Sequence, residues 1–374
     1  MTNVFNPAKR VLMGPGPSDV NPRVLSALGR PTIGHLDPQF FMLMDEVKSL
    51  LQYAFKTKND LTIPISAPGS AGMEACFVNL VEPGDKVVVC SNGVFGGRMA
   101  ENVRRVGGQL ILLEEEWGKP VNPEKLDALL SKNPDVSIVA FVHAETSTGV
   151  RSDAEHLCRI AKNYDCLVIL DCVTSLGGIE VSLDEWKVDA AYSGSQKCLS
   201  CVPGLSPLSF SDAALKKLKN RKSPVNSWFL DLNLITDYWS GSEKRSYHHT
   251  APVNSIYGLH EALIILKEEG LERSWDRHRQ NHVLLRDHLE GIGLRFIVDE
   301  PYRLPQLNAV SIPDSVDEQA IRKSLLNDFD LEIGAGLGSL AGKIWRIGLM
   351  GYASNNGNVL YCVNALKEAL SKNS

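Results

Sequence analysis

Between residues 61 and 171 the chain repeatedly changes its hydrophobic period, and this constrains the fold most. Short apolar runs lie at 61–65, 86–90, 110–113, 136–143 and 166–170. Helix-period segments separate them at 71–81, 96–106, 123–131 and 153–163. A strand that is apolar without alternation is buried on both faces, and parallel neighbours need a crossover between them. The pattern therefore predicts an α/β chain with a mostly parallel sheet covered by helices on both sides. After Ser211 the pattern shifts to longer helices at 255–269 and 271–289, with Gly270 as the break. Candidate strands follow at 294–298, 308–312 and 344–349, mixed with two helices. At 374 residues one domain is exceeded. The expected division is an N-terminal arm at 1–20, a large domain at 21–269 and a smaller α+β domain at 270–374. No internal repeat or low-complexity tract interrupts it.

Composition narrows the classes of function. A net charge of −5 argues against nucleic acid as the main partner. The basic run Lys216-Lys217-Leu218-Lys219-Asn220-Arg221-Lys222 reads as a solvated helix end. No apolar run approaches a membrane span, and the start, Met1-Thr2-Asn3-Val4-Phe5-Asn6-Pro7, lacks the charged-then-apolar pattern of a signal peptide. The end, Ser371-Lys372-Asn373-Ser374, is not a Ser-Lys-Leu address. The expected compartment is the cytoplasm. The eight Cys are scattered in apolar surroundings, as small core residues of a reducing compartment are. Cys198 and Cys201 form a Cys-x-x-Cys pair, but zinc would want a second pair or nearby His. A redox dithiol would want to open a helix, whereas Pro203-Gly204 follows here. No metal site is expected, and His248-His249 reads as a hydrogen-bonding pair.

In an open α/β sheet, ligands bind beyond the carboxyl ends of the strands. Asp171 closes one apolar run, and Lys197 ends the small-residue turn Ser193-Gly194-Ser195-Gln196-Lys197 downstream. A lysine amine and an acid opposite a ring nitrogen are what pyridoxal phosphate requires. The loop Pro68-Gly69-Ser70-Ala71-Gly72 joins a strand to a helix. It is either a tight turn or a phosphate anchor built on free helix N–H groups. Phe95 either stacks on a planar ring or fills the core. The cluster His143-Ala144-Glu145-Thr146-Ser147-Thr148-Gly149 either bonds a ring hydroxyl or caps the next helix. Arg346, between Trp345 and Ile347 in an apolar strand, needs a partner, since an unpaired Arg there is costly.

Together these features resemble the class V aminotransferases of the fold-type I pyridoxal-phosphate enzymes. The nearest likeness is to the alanine–glyoxylate (serine–pyruvate) group. It runs nearly end to end, through Leu12-Met13-Gly14-Pro15-Gly16-Pro17-Ser18, Gly34-His35-Leu36-Asp37, Tyr192-Ser193-Gly194-Ser195-Gln196-Lys197, Tyr247-His248-His249-Thr250 and Trp345-Arg346-Ile347-Gly348.

The resemblance implies transamination between a small amino acid, alanine or serine, and glyoxylate or pyruvate. It implies that Lys197 holds the cofactor as a Schiff base and moves the proton, and that Asp171 pairs with the ring nitrogen. Phe95, where mammalian members have Trp, would stack on the ring, and Thr146 would meet its hydroxyl. Gly69, Ser70 and Gln196 would bind the phosphate, Ser70 departing from the His of mammalian members. Tyr247 and Thr250 would reach the phosphate of a neighbouring subunit, which implies a homodimer with sites at the interface. Arg346 would clamp the substrate carboxylate. Sibling activities on this scaffold are serine–glyoxylate, aminoethylphosphonate–pyruvate and taurine–pyruvate transamination. A cysteine desulfurase-like lyase would need a Cys in the glycine-rich stretch 334–342, which contains none.

Overall fold

The structure is a computed structural model that describes residues 4–240 and 245–372. The first three residues of the expected N-terminal arm and the last two of the chain lie outside it. From the N-terminus run β1 (Val11–Leu12), α1 (Pro22–Leu28), α2 (Pro38–Phe55), β2 (Leu61–Ile65) and α3 (Gly69–Leu80). Next come β3 (Lys86–Ser91), α4 (Val94–Arg105), β4 (Gln109–Glu114), α5 (Pro123–Ser131) and β5 (Val136–Val142). A small ribbon, β6 (Ala144–Glu145) with β7 (Val150–Arg151), precedes α6 (Ala154–Asn163), β8 (Leu167–Asp171) and α7 (Leu183–Trp186). Then follow β9 (Ala190–Tyr192), β10 (Ser206–Phe210), α8 (Asp212–Lys219), α9 (Leu232–Trp239), α10 (Val253–Glu269) and α11 (Leu271–Glu290). The C-terminal part holds β11 (Leu307–Ser311), α12 (Glu318–Asp328), β12 (Leu331–Glu332), β13 (Gly334–Ala335), β14 (Ile344–Gly348) and α13 (Asn356–Lys372).

Seven strands form the central sheet in the order β2-β10-β9-β8-β5-β3-β4. Only β10 runs against its neighbours; the β9, β8, β5, β3 and β4 pairs are parallel. Burial follows the sequence logic. Every residue of β2, β9 and β10 is buried, whereas β4 at the edge is mostly not. Several helices open on a side-chain cap. Asp153 accepts from His156 N at the start of α6, and Asp37 with Pro38 opens α2. Gly270, at φ 87°, separates α10 from α11.

Two expectations need revision. Residues 294–298 do not form a strand. A single bridge joins Phe296 to Val310, flanked by Ile297 N–H to Ala309 O (3.1 Å) and Ser311 N–H to Arg295 O (2.7 Å). Pairing stops there because Pro301 follows in a short helical turn, Glu300–Tyr302. Conversely, β9 and β10 are strands that the sequence pattern did not mark. β9 is three residues long, and β10 contains Pro207. That proline is tolerated opposite Pro64 of β2, so where one strand lacks a donor its neighbour does too.

The largest apolar cluster surrounds the central sheet and takes in α1, α2 and α10. A second holds Leu285, Leu325, Trp345, Leu366 and, from the N-terminal segment, Met13. A third, smaller group joins Ala144, Ile179 and Cys198 to Leu304, Leu307 and Met350. β1 pairs in parallel with β12, Met13 N–H donates to Glu332 O at 2.9 Å, and Gly348 N–H donates to Met13 O at 2.7 Å. A side chain at Gly348 would collide with the backbone carbonyl of Gly14. No described helix is long and apolar enough to cross a membrane. Gly348→Ala is predicted to cost about 1–3 kcal/mol through overpacking. A denaturation midpoint equal to wild type would show that the arm yields freely.

Candidate active site

The register of three parallel strands brings the chemistry to one edge. Asp171, the last residue of β8, is level with Val142 of β5 and Tyr192 of β9. Its carboxylate accepts from Val173 N–H at 2.8 Å and from the Tyr192 hydroxyl at 2.7 Å. Burial pushes this carboxyl up to about 7, against the pull of those two donors. Tyr192 leads straight into the turn that carries Lys197. The amine of Lys197 donates to the carbonyl of Pro15, in the N-terminal Gly-Pro-Gly-Pro turn. Burial, and then the positive charge of Arg346, bring the Lys197 amine down to about 8. Gly16, at φ +101°, leaves room for that amine: a Cβ there would lie 2.7 Å from Lys197 Cδ and 2.9 Å from Cε.

Arg346 of β14 is 6 % exposed. Its Nε donates to Ala335 O at 2.7 Å and its Nη1 to Thr146 O at 3.2 Å. Burial brings the guanidinium down to about 10, with Glu145 opposing. Among the described residues no carboxylate lies within ion-pair distance of it. Thr146 is buried beside it, in the ribbon turn after β5. Phe95, in the first turn of α4, is half-buried; its N–H donates to Glu145 Oε2 at 3.1 Å, and the Arg98 guanidinium lies 4.8 Å from its ring centroid.

The remaining candidate residues fall around this cluster. Gly69 and Ser70 open α3, which no side chain caps. Gln196 Oε1 is buried without a hydrogen-bond partner. Tyr247 and Thr250 stand exposed, their hydroxyls 3.4 Å apart, outside the buried cluster. The adjacent His pair makes hydrogen bonds, His248 Nδ1 to His249 Nδ1 at 2.8 Å and His249 Nε2 to Ser66 Oγ at 2.7 Å. Among the described residues no group of three or more His, Cys, Asp or Glu is arranged to hold a metal. All eight cysteines are free and buried, and burial pushes Cys198 and Cys201 up to about 12. Such thiols are poor nucleophiles at neutral pH.

Three features of the site had no role in the sequence reading. Tyr192 bonds Asp171, Pro15 O receives the Lys197 amine, and Glu145 anchors α4. Each was present in a quoted motif, yet none of these pairings has a sequence signal. The depressed Lys197 amine is testable in cofactor-free protein. Labelling of Lys197 by an amine-reactive reagent should rise with pH through a midpoint near 8, where a solvated lysine titrates near about 10.4. Arg346→Gln, which removes a nearby positive charge, should move that midpoint upward. A midpoint of an ordinary lysine in wild type would contradict the burial argument.

Comparison with known proteins fits this geometry. Residues 23–356 match the family model described as aminotransferase class-V. The alanine–glyoxylate aminotransferase of Callithrix jacchus is 39 % identical over 363 residues, covering 96 % of this chain and 87 % of that protein. The (S)-ureidoglycine–glyoxylate transaminase of Bacillus subtilis (strain 168) is 38 % identical over 379 residues, covering 96 % and 90 %. The crystal structure of an alanine–glyoxylate aminotransferase from Nostoc sp. superposes with a TM-score of 0.96 at 45 % identity, covering 99 % of this chain and 97 % of that one. The chain belongs to the class V aminotransferases.

Proposed function

We propose that this aminotransferase uses pyridoxal phosphate to move an amino group between a small amino acid, alanine or serine, and glyoxylate or pyruvate. The observation that carries the reading is the Lys197 amine at the end of the turn after β9, bonded only to the carbonyl of Pro15 among the described hydrogen bonds and brought down to about 8 by burial and by the charge of Arg346. The residues present suit the cofactor. Asp171 is a buried carboxyl with no cation in ion-pair range among the described residues, as a partner for a protonated ring nitrogen should be. The uncapped start of α3 offers N–H groups to a phosphate, and the Gln196 amide, whose Oε1 lacks a partner, can turn its NH2 toward one.

When bound, pyridoxal phosphate supplies an aldehyde that takes the amino group and a protonated ring that delocalises the charge left by α-proton removal. The protein's part is to hold and move protons at stated atoms. Lys197 Nζ, brought down to about 8 and so partly unprotonated near neutral pH, would take the proton from the substrate's α-carbon and hold it for return. Asp171 would hold the cofactor's ring nitrogen protonated, and that nitrogen's positive charge would draw its carboxyl back down from about 7. Tyr192 fixes the carboxylate's direction through its 2.7 Å bond. Arg346 has two donors held by carbonyl oxygens, and its remaining edge suits a bidentate grip on the substrate's carboxylate. Phe95 would cover one face of the ring, Thr146 its hydroxyl, and Gly69, Ser70 and Gln196 the phosphate.

Two subunits would complete each site, in a homodimer. Trp228, 65 % exposed, stacks on His248 with Phe229 beside it, and Tyr247, 60 % exposed, packs on His35; such exposed aromatics suit burial against a second copy. A desulfurase chemistry is disfavoured by the buried thiols. The acceptor is better supported than the donor, because two relatives of nearly equal identity are named for glyoxylate but for different amino donors. Ureidoglycine therefore belongs on the substrate panel beside alanine and serine.

The decisive experiment is the visible spectrum of the purified protein with added pyridoxal phosphate. L-alanine should bleach the yellow band and glyoxylate should restore it. A protein that stays colourless has no such cofactor site. Lys197→Ala should lose transamination, and Arg346→Ala should raise KM for both amino acid and keto acid about 100-fold, the scale of a broken buried charge pair. An unchanged KM would remove Arg346 from the substrate site.

A further inference from the structure

Glu145 buries its carboxyl completely, at 0 % exposure. Its oxygens face donors on two elements. Oε1 accepts from Ser147 N–H at 3.0 Å and from the Ser147 hydroxyl at 2.6 Å. Oε2 accepts from Phe95 N–H at 3.1 Å, and Gly96 N–H also bonds the carboxylate. The Ser147 hydroxyl in turn accepts from Val94 N–H at 3.0 Å. The first three amides of α4, which a helix leaves without internal partners, therefore all end on Glu145 and Ser147. Burial pushes the Glu145 carboxyl up, and the donors on its oxygens pull it back down; its place at a helix start favours negative charge as well. Gly93 makes the approach possible: a Cβ there would lie 2.5 Å from Glu145 Cγ and Cδ and from Ser147 Oγ.

The same turn carries Thr146, whose carbonyl takes Arg346 Nη1. We infer that Glu145 is a positioning residue for the reaction. Its carboxylate clamps the first turn of α4 to the 144–148 turn. Phe95, Thr146 and the Arg346 guanidinium are thereby fixed as one body. The clamp deepens the reading of those three residues given above and rests on it. Its charge also offsets that of Arg346, which has no carboxylate in ion-pair range among the described residues.

Glu145→Gln keeps the volume and the Oε1 bonds, but its amide NH2 would confront the Phe95 and Gly96 donors. In cofactor-free protein, amide hydrogen exchange at Val94, Phe95 and Gly96 should accelerate about 10-fold or more, with β5 and β8 unchanged. The dissociation constant of pyridoxal phosphate should rise about 10-fold, the visible circular dichroism of the bound cofactor should change, and KM for the keto acid should rise. Gly93→Ala, which displaces the carboxylate without removing its charge, should give the same pattern. Ser147→Ala should give a weaker version, and it decides the matter if the Gln variant does not fold. Wild-type exchange at α4 together with wild-type cofactor affinity in these variants would overturn the inference. If wild type itself takes up no pyridoxal phosphate, the functional reading fails, while the exchange measurement still judges the clamp.

Discussion

Ionisable groups buried without a mutual ion pair set the terms for this molecule. Lys197, Asp171, Glu145 and Arg346 gather at one edge of the sheet, and among the described residues no ion pair joins any two of them. Taking such groups out of water costs several kcal/mol each unless hydrogen bonds replace the water. Here the replacements are mostly backbone groups: Pro15 O for Lys197, Val173 N–H for Asp171, Phe95 N–H for Glu145, Ala335 O and Thr146 O for Arg346. Backbone dipoles do not neutralise a charge as a counter-ion would. They hold it in place and leave it available to a ligand, which is the arrangement that electrostatic preorganisation requires.

The topology explains why these groups meet. β5, β8 and β9 are parallel neighbours, so their carboxyl ends open on the same edge. Each strand delivers a different component there: the Thr146 turn after β5, Asp171 at the end of β8, and the Lys197 turn after β9. The reversal at β10 lets residues 193–205 fold back over the same edge, because an antiparallel neighbour needs no crossover helix. Arg346 comes from a separate antiparallel sheet, β11-β14-β13, where β13 supplies the carbonyl that orients it.

The sequence made part of this legible for identifiable physical reasons. Strands buried on both faces leave continuous apolar runs, so most of the central sheet could be read directly. Asp171 stood out because it closes such a run, and Lys197 because it ends the small-residue turn downstream of it. β9 and β10 did not stand out, since three residues of Ala-Ala-Tyr and a strand containing Pro207 carry little β signal. The 294–298 segment erred the other way, its apolar content serving core packing of Leu294 and Phe296 with only one bridge. The pairs Tyr192–Asp171 and Phe95–Glu145 are tertiary: a Tyr within a motif and a Glu within a polar turn reveal their partners only once the strands are in register. Resemblance assigned roles to residues that touch a ligand; it said nothing of those that hold them.

The N-terminal segment shows how far such holding extends. Met13 sits in the apolar cluster of the C-terminal sheet, and its backbone joins both Glu332 and Gly348. Two residues on, Pro15 O receives the Lys197 amine, and the Ser18 hydroxyl donates to Lys197 O at 2.8 Å. One short stretch thus spans from the strand that carries Arg346 to the turn that carries Lys197. A shift of the C-terminal sheet relative to the central one would be transmitted through this stretch to the acceptor of the lysine amine. The Gly-Pro-Gly-Pro turn suits that duty: Pro limits backbone freedom, while Gly16 admits the lysine side chain where any Cβ would displace it. The segment is therefore part of the wall of the site, and the distance between the Arg346 guanidinium and the Lys197 amine depends on it.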